Sequence, residues 1–187
     1  SGTSTITTLS KTTGNIVFDD VNGDGVITAD DRTKIGDPNP DFIGGFNNTF
    51  NIYQFSIRVF FQYSYGNDLY NGTRVYIESL KGEDNQLTTI LNRWQNPGDI
   101  TNVPLATATD LNNNNRTSSR FVEDGSYLRM KELTLAYDFK PELVNKLSLR
   151  HLKLFISTYN LLTFTNYSGM DPEINYAGND NMRMGTD

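Results

Sequence analysis

Apolar and polar residues alternate through the stretch Phe42 to Asn67 with the period of two that marks a β-strand. The segment Phe55 to Tyr65 puts Phe55, Ile57, Val59, Phe61, Tyr63 and Tyr65 on one side, and Ser56, Arg58, Phe60, Gln62 and Ser64 on the other. The apolar side is unbroken and ends in two tyrosines. The opposite side carries an arginine and a glutamine at mid-strand. A soluble sandwich also alternates, usually over fewer residues. A membrane-crossing strand needs about 9–11 residues, apolar side chains toward lipid, aromatic ends and a polar lumen face. The preceding segment, Phe42 to Ile52, places Phe42, Phe46, Phe50 and Ile52 on one face, interrupted by Gly44 and Asn48. Tyr53-Gln54 forms a tight turn between the two.

Two further segments alternate. Tyr127 to Phe139 predicts a third strand, with Leu133, Leu135, Tyr137 and Phe139 on its apolar face and Glu132, Thr134, Ala136 and Asp138 opposite. Strict alternation puts Arg129 and Lys131 on the apolar side, toward the strand end. A fourth strand is predicted from Arg150 to Leu162, where Leu152, Leu154 and Ile156 alternate with Lys153, Phe155 and Ser157. From Thr163 the chain reads as a polar tail. A long connection runs from Asn67 to Asp124. In it Leu87, Ile90, Leu91 and Trp94 fall at i, i+3, i+4 and i+7, which predicts a helix capped at Asp84 or Asn85 and stopped by Pro97-Gly98. Arg74 to Leu80 suits helix or strand equally.

The connections run short at residue 53, long from 67, short from 140 and long from 163. Short turns alternating with long loops are the pattern of bacterial outer-membrane barrels. The fold class read from these features is all-β. It comprises four long strands of a transmembrane antiparallel barrel, with long extracellular loops that carry a short helix.

Composition agrees. The hydrophobic share is 36%, low for a self-sufficient core but enough where only alternate strand positions are apolar. No apolar run is long enough for a membrane-spanning helix, and no signal peptide is visible. The opening Ser-Gly-Thr-Ser reads as the middle of a longer chain or as the remnant of an added tag. A net charge of −6 argues against nucleic acid as a partner, which would call for a basic face. Without cysteine there is no thiol chemistry. His151, the one histidine, reads as a solvated residue at a strand start rather than a base. Carboxylates are plentiful, but none is paired with a base or an oxyanion motif, so no enzyme is expected.

One motif carries its own chemistry. Asp20 to Asp31 matches the twelve-residue, EF-hand-like calcium loop. Asp20, Asn22 and Asp24 stand at positions 1, 3 and 5, and Gly25 takes the turn at 6. Val26 offers a carbonyl at 7, Thr28 an oxygen or a water at 9, and Asp31 a carboxylate at 12. Hard oxygen ligands at this spacing suit Ca2+, in a structural role because no long amphipathic helices flank the loop. Asp31 replaces the usual glutamate and is one methylene shorter. A polar Asn/Asp/Gly turn without an ion is the plain alternative.

Several ordered stretches resemble one family. Asp19 to Gly25, Ile35 to Phe42, Gly44-Gly45-Phe46 and Phe60 to Asp68 are similar to the C-terminal barrel portion of SusC/RagA-type TonB-dependent transporters. So are Asp124 to Leu135, Asn160 to Thr165 and Tyr167 to Glu173. The resemblance spans nearly the whole chain from Asn15. It implies a 22-stranded barrel in the bacterial outer membrane, set in outer-membrane lipid, with an N-terminal plug and a SusD-like lipoprotein lid. It implies import of glycans or peptides, oligosaccharide or peptide substrate being drawn in by TonB. Residues 1–187 are then expected to be a C-terminal fragment of the barrel, with 20–31 as a loop within it. The plug, the TonB box, most strands and a final strand after Asp187 are absent from it, so it is not expected to transport alone. Two other classes compete: a secreted, calcium-stabilised β module that binds carbohydrate, and a dockerin-like adhesion module. The dockerin requires a second loop like Asp20 to Asp31, and the chain has none.

Overall fold

The structure, a computed structural model, describes residues 3–4, 7–82 and 84–173. Its strands are β1 (Thr3–Ser4), β2 (Thr7–Leu9), β3 (Ile16–Phe18), β4 (Thr33–Lys34), β5 (Phe42–Ile52), β6 (Phe55–Tyr65), β7 (Asp68–Tyr70), β8 (Val122–Asp124), β9 (Tyr127–Asp138) and β10 (Lys153–Thr165). Two short helices, α1 (Gly72–Ile77) and α2 (Pro141–Lys146), accompany them. The chain divides into two compact units. One holds residues 40–66 and 125–166; the other holds the described residues of 1–39, 67–124 and 167–173.

The first unit is a four-stranded antiparallel sheet in the order β10-β9-β6-β5. β5 and β6 pair without a break from Phe42↔Tyr65 to Ile52↔Phe55. On the shared apolar face Phe46 stacks on Phe61 at 5.0 Å between ring centroids. Tyr63 lies opposite Gly44 and covers it: a Cβ there would sit 2.8 Å from the tyrosine oxygen. The gap at Gly44 is therefore filled from the neighbouring strand. The same face continues through Leu135 and Ile156, which align with Ile57. Aromatic contacts mark both strand ends, Phe42 with Tyr65 at one and Phe55, Tyr137 and Phe139 at the other, with the Phe46–Phe61 pair between them.

This face is open. Phe50 is 55% exposed, Phe55 59% and Ile156 63%. A contiguous apolar surface of this kind marks a partner or a membrane. In hydrocarbon, each such side chain contributes about 1.5–3 kcal/mol relative to water. The outer edges of β5 and β10 have no partner strand among the described residues. In lipid every backbone N–H and C=O must be paired, so these edges call for neighbouring strands. No helix among the described residues is long and apolar enough to cross a membrane, which says nothing of strands.

The third strand departs from strict alternation. Phe60 pairs with Glu132 but Phe61 with Met130, so Lys131 is an extra residue. On its other side Tyr159 pairs with Glu132 and Leu162 with Met130, leaving Asn160 and Leu161 opposite Lys131. Bulges of this kind reverse the side-chain parity of the strand beyond them. Leu128 and Met130 therefore join the apolar face. The expectation that Arg129 lies on the apolar side is corrected: Arg129 pairs with Gln62 on the polar face and is 5% exposed. The fourth strand also runs three residues later than expected. Thr163, Phe164 and Thr165 pair with Arg129, Leu128 and Tyr127, whereas Arg150 to Leu152 precede the strand.

At the Tyr53 end the connections are short. Tyr53 takes a φ of 53° in the two-residue turn. α2, led by Pro141 at its first turn, buries Val144 between β9 and β10 in the chain. His151 is exposed and its Nε2 lies 3.0 Å from Asp138 Oδ1, the strand-end position expected of it.

The second unit has a small core of Ile16, Leu69, Leu80, Val103, Phe121 and Tyr167, each below 10% exposed. β2 pairs with β3, β7 with β8 and β1 with β4. The helix expected around Leu87 to Trp94 is a five-residue 3-10 segment, Thr88–Asn92. Thr101 Oγ1 bonds the Asn92 carbonyl at its end, and Trp94 N–H goes to Val103 O instead of back along a helix. That turn lays the Trp94 indole against Gly14, with its Nε1 donating to Lys11 O at 3.2 Å.

Candidate functional site

The loop Asp20 to Asp31 is held by its own side chains. Asp20 Oδ1 accepts from Gly23 N at 2.8 Å and Asp24 N at 3.2 Å, and its Oδ2 from Gly25 N at 2.7 Å. Asn22 Oδ1 accepts from Asp24 N at 2.9 Å, and Asp24 Oδ1 from Val26 N at 2.8 Å. These side-chain turns suit Asn and Asp, whose short polar groups reach the backbone two or more residues on. Gly25 sits at φ 83°, open to glycine at no steric cost. Thr28 caps the 3-10 turn Ala29–Asp31 in a reciprocal box, with Asp31 Oδ2 accepting from Thr28 N at 2.6 Å and Oδ1 from Val21 N at 3.0 Å. Asp31 is buried, and the Thr28 N–H first among its contacts holds its carboxyl below the usual range.

The six expected ligand residues are thus gathered in one turn, but side-chain oxygens of Asp20, Asn22, Asp24, Thr28 and Asp31 already accept from the loop's own N–H groups. Among the described residues no three acidic, histidine or cysteine side chains converge as metal ligands would. The donor set is chemically suited to Ca2+. The loop as folded does not bring its carboxylates to one point.

A second constellation escaped the sequence reading. Arg74 on α1 donates to Glu78 Oε2 at 2.9 Å and to Glu123 Oε1 at 2.7 Å, while Arg120 Nη2 reaches Glu78 Oε2 at 3.3 Å. Both guanidiniums lie over the Phe121 ring, at 5.9 and 4.8 Å from its centroid. Glu123 also accepts from Ser168 N at 2.7 Å and Asn71 Nδ2 at 3.1 Å. Burial raises the Glu123 carboxyl, but the Ser168 N–H and the Arg74 guanidinium outweigh it and hold the group below its ordinary range. The available signal was Asn71 as helix cap, with Arg74 and Glu78 spaced i, i+4. The network fastens three chain segments together and presents no reactive group.

The polar face of the sheet is lined by Arg58, Gln62, Arg129, Glu132, Thr134 and Ser157. Gln62 Nε2 donates to Tyr127 OH at 3.2 Å, and the Thr134 and Ser157 hydroxyls lie 2.8 Å apart. An arginine on the lipid side costs about 2–4 kcal/mol at the membrane midplane, so the charged residues belong with the water-filled side. At one end of the sheet Phe42 pairs with Tyr65, Ser64 with Tyr127 and Tyr127 with Thr165. Every segment of the second unit joins the strands through these four ends.

No family model matches the chain. TonB-dependent receptor P3 of Formosa agariphila is 38% identical over 185 residues, covering 99% of this chain and 18% of that protein. TonB-dependent receptor P39 of the same organism is 36% identical over 177 residues, covering 89% of this chain and 16% of its own length. The chain therefore spans less than a fifth of these relatives. Among solved structures, the RagAB peptide transporter superimposes with a TM-score of 0.73 at 26% identity, over 90% of this chain and 19% of that one. The RagAB peptide importer in its open-open state gives 0.75 at 23% identity, over 98% and 20%. These likenesses are to receptors and importers, not to enzymes or secreted binding modules. With an open apolar face, a polar face and its long connections leaving from one end of the strands, the chain belongs to the TonB-dependent receptors of SusC/RagA type, as a segment of their outer-membrane β-barrel.

Proposed function

We propose that residues 1–187 form the C-terminal part of the barrel of a transporter that imports oligosaccharide or peptide. A SusD-like lipoprotein covers it from outside, and TonB drives it. The observation that carries this reading is the connectivity of the sheet: the second unit joins it at one end only, the other end having only short connections. In outer-membrane barrels the long loops are extracellular and the short turns periplasmic. Recognition then falls to the loop unit, because loops set on a rigid scaffold are where binding residues concentrate. Peptide is the substrate class favoured by the likeness to the RagAB peptide transporter. Deleting residues 84–97 from the full-length receptor, with barrel insertion checked separately, should weaken lid association or uptake. If both are unchanged, this segment is a cap alone.

We also propose a structural Ca2+ site in the loop, held by Asp20, Asn22, Asp24, the Val26 carbonyl, Thr28 and Asp31. The support is the register of oxygen-bearing residues around Gly25 and the chemistry of hard ligands. Binding requires Asp20 and Asp24 to turn a carboxylate oxygen inward from its backbone donor. Ion-to-oxygen distances of about 2.3–2.6 Å are expected in a calcium-soaked crystal. Calorimetry showing no uptake at millimolar Ca2+, or the same uptake by Asp20→Ala, would exclude the site.

A further inference from the structure

The connection from β9 to β10, residues 139–153, differs in charge from the rest of the chain. It carries Lys140, Lys146, Arg150 and Lys153 against one carboxylate, Glu142. Of the chain's 16 basic and 22 acidic residues, four and one fall here, which leaves this stretch at +3 and the remainder at −9. Lys153 is occupied: it shares Asp138 with His151, at 3.5 and 3.0 Å. Lys140, Lys146 and Arg150 are exposed and form no ion pair with any described residue.

The same stretch exposes three leucines, Leu143 at 47%, Leu147 at 56% and Leu149 at 44%, while Val144 is the buried residue of α2. Leu143 and Leu147 stand one helical turn apart, and Lys146 neighbours both on that side. Single exposed leucines are ordinary; three of them among three unpaired cations are the composition of a segment that lies in a membrane interface. Its place in the fold agrees. Leu154, four residues past Arg150, aligns with Tyr137 and Phe55 at the end of the apolar face and is 66% exposed. The cations therefore stand where hydrocarbon gives way to headgroups.

We propose that Lys140, Lys146 and Arg150 bind anionic phospholipid headgroups of the periplasmic leaflet, with Leu143, Leu147 and Leu149 reaching the acyl boundary. The choice of leaflet rests on the reading above that the short connections are periplasmic. Lysine and arginine lay their stems along apolar surface and keep their charge in water, which suits this depth. The six residues of α2 are too few to hold a membrane by themselves. Here β9 and β10 keep them at the bilayer edge, so the contact is made within an already inserted molecule and costs little entropy. The occupant is lipid and not a protein because the exposed leucines run on in sequence to Leu154, on the side of the sheet that faces hydrocarbon.

The test uses the full-length receptor, otherwise free of cysteine, in phosphatidylcholine nanodiscs, with a fluorophore on Leu147→Cys. Phosphatidylglycerol bearing a nitroxide on its acyl chain should quench it at least about threefold more than phosphatidylcholine bearing the same nitroxide, at low salt. High salt should narrow the gap, and Lys140→Gln, Lys146→Gln and Arg150→Gln together should close it. Equal quenching by the two lipids, a preference that survives the triple variant, or quenching by neither, as a protein occupant would give, overturns the proposal and leaves the sidedness of the barrel standing. The leaflet is read separately from Asn145→Cys, which an impermeant thiol reagent should label only after the outer membrane is opened. Labelling in intact cells overturns the periplasmic placement, and with it that sidedness, whatever the lipid preference.

Discussion

Gln62 and Arg129 stand opposite each other across the β6–β9 pair, with the Arg129 guanidinium 5.6 Å from the Tyr127 ring centroid. The extra residue Lys131 makes this possible by switching which side of β9 faces lipid. In the full-length receptor, cysteine at position 127, on the polar face beyond the bulge, should react with a membrane-impermeant thiol reagent admitted to the lumen, and cysteine at 128 should not. Labelling at 128 and protection at 127 would mean that the strand runs without its bulge.

Glu78 is 4% exposed and is the shared partner of Arg74 and Arg120. Replacing it by alanine leaves two guanidiniums short of a counter-charge, one of them on the nearly buried Arg120. Removing one member of a buried charge group typically costs about 3–5 kcal/mol. Glu78→Ala should accelerate amide hydrogen exchange through residues 68–79 and 119–124 and leave β5 and β6 unaffected. Uniform exchange across the chain would contradict a local role.

Asp37 has its pKa lowered to about 2, chiefly by its hydrogen bond with the Lys34 ammonium and then by the Asn39 N–H. A depressed carboxyl pKa contributes stability that is fully present above the ordinary value of 3.8 and disappears as pH falls through about 2. An NMR titration should find the Asp37 carboxyl ionised at pH 3. Lys34→Met should move its midpoint up toward the ordinary value; an unmoved midpoint would assign the shift to Asn39 alone.

Gly14 has a φ of 68°, and a Cβ placed on it would lie 2.3 Å from the Trp94 ring. Gly14→Ala therefore combines backbone strain with loss of the indole's seat, at a cost above about 1 kcal/mol. Proteolysis near Trp94 should quicken. The same rate in the variant would show that the indole has an equivalent position elsewhere.

The sheet was legible because one rule governs it. Phe42–Ile52 and Phe55–Tyr65 follow unbroken alternation, and their strands begin and end where it does. The rule failed where a bulge intervenes. Lys131 looks like any other strand residue, and Asn160 and Leu161 break the pattern just where β10 continues, so the strand was ended too early. Of the apolar residues spaced from Leu87 to Trp94, Leu87 and Leu91 are exposed and only Trp94 is seated. What packs it lies far along the chain, at Gly14, and that contact overrode the local helix preference. In the loop, residue types announced oxygen donors, but not that backbone N–H groups would occupy them. Apart from the Arg74–Glu78 pair, the Glu78 and Glu123 cluster draws on residues 42 to 97 positions apart, beyond any local pattern.

The pairing of β6 with β9 also sets an order of assembly. Tyr65 and Tyr127 are separated by some sixty residues, whereas β5 and β6 are joined through Tyr53-Gln54 alone. Closing the longer span costs about 3 kcal/mol more in chain entropy than closing the turn. The β5–β6 and β9–β10 hairpins are therefore expected to form early and separately, and their union to wait on the compaction of residues 67–124. An insertion that looks like a passenger on the sheet becomes, on the time axis, the step that decides when the two hairpins meet.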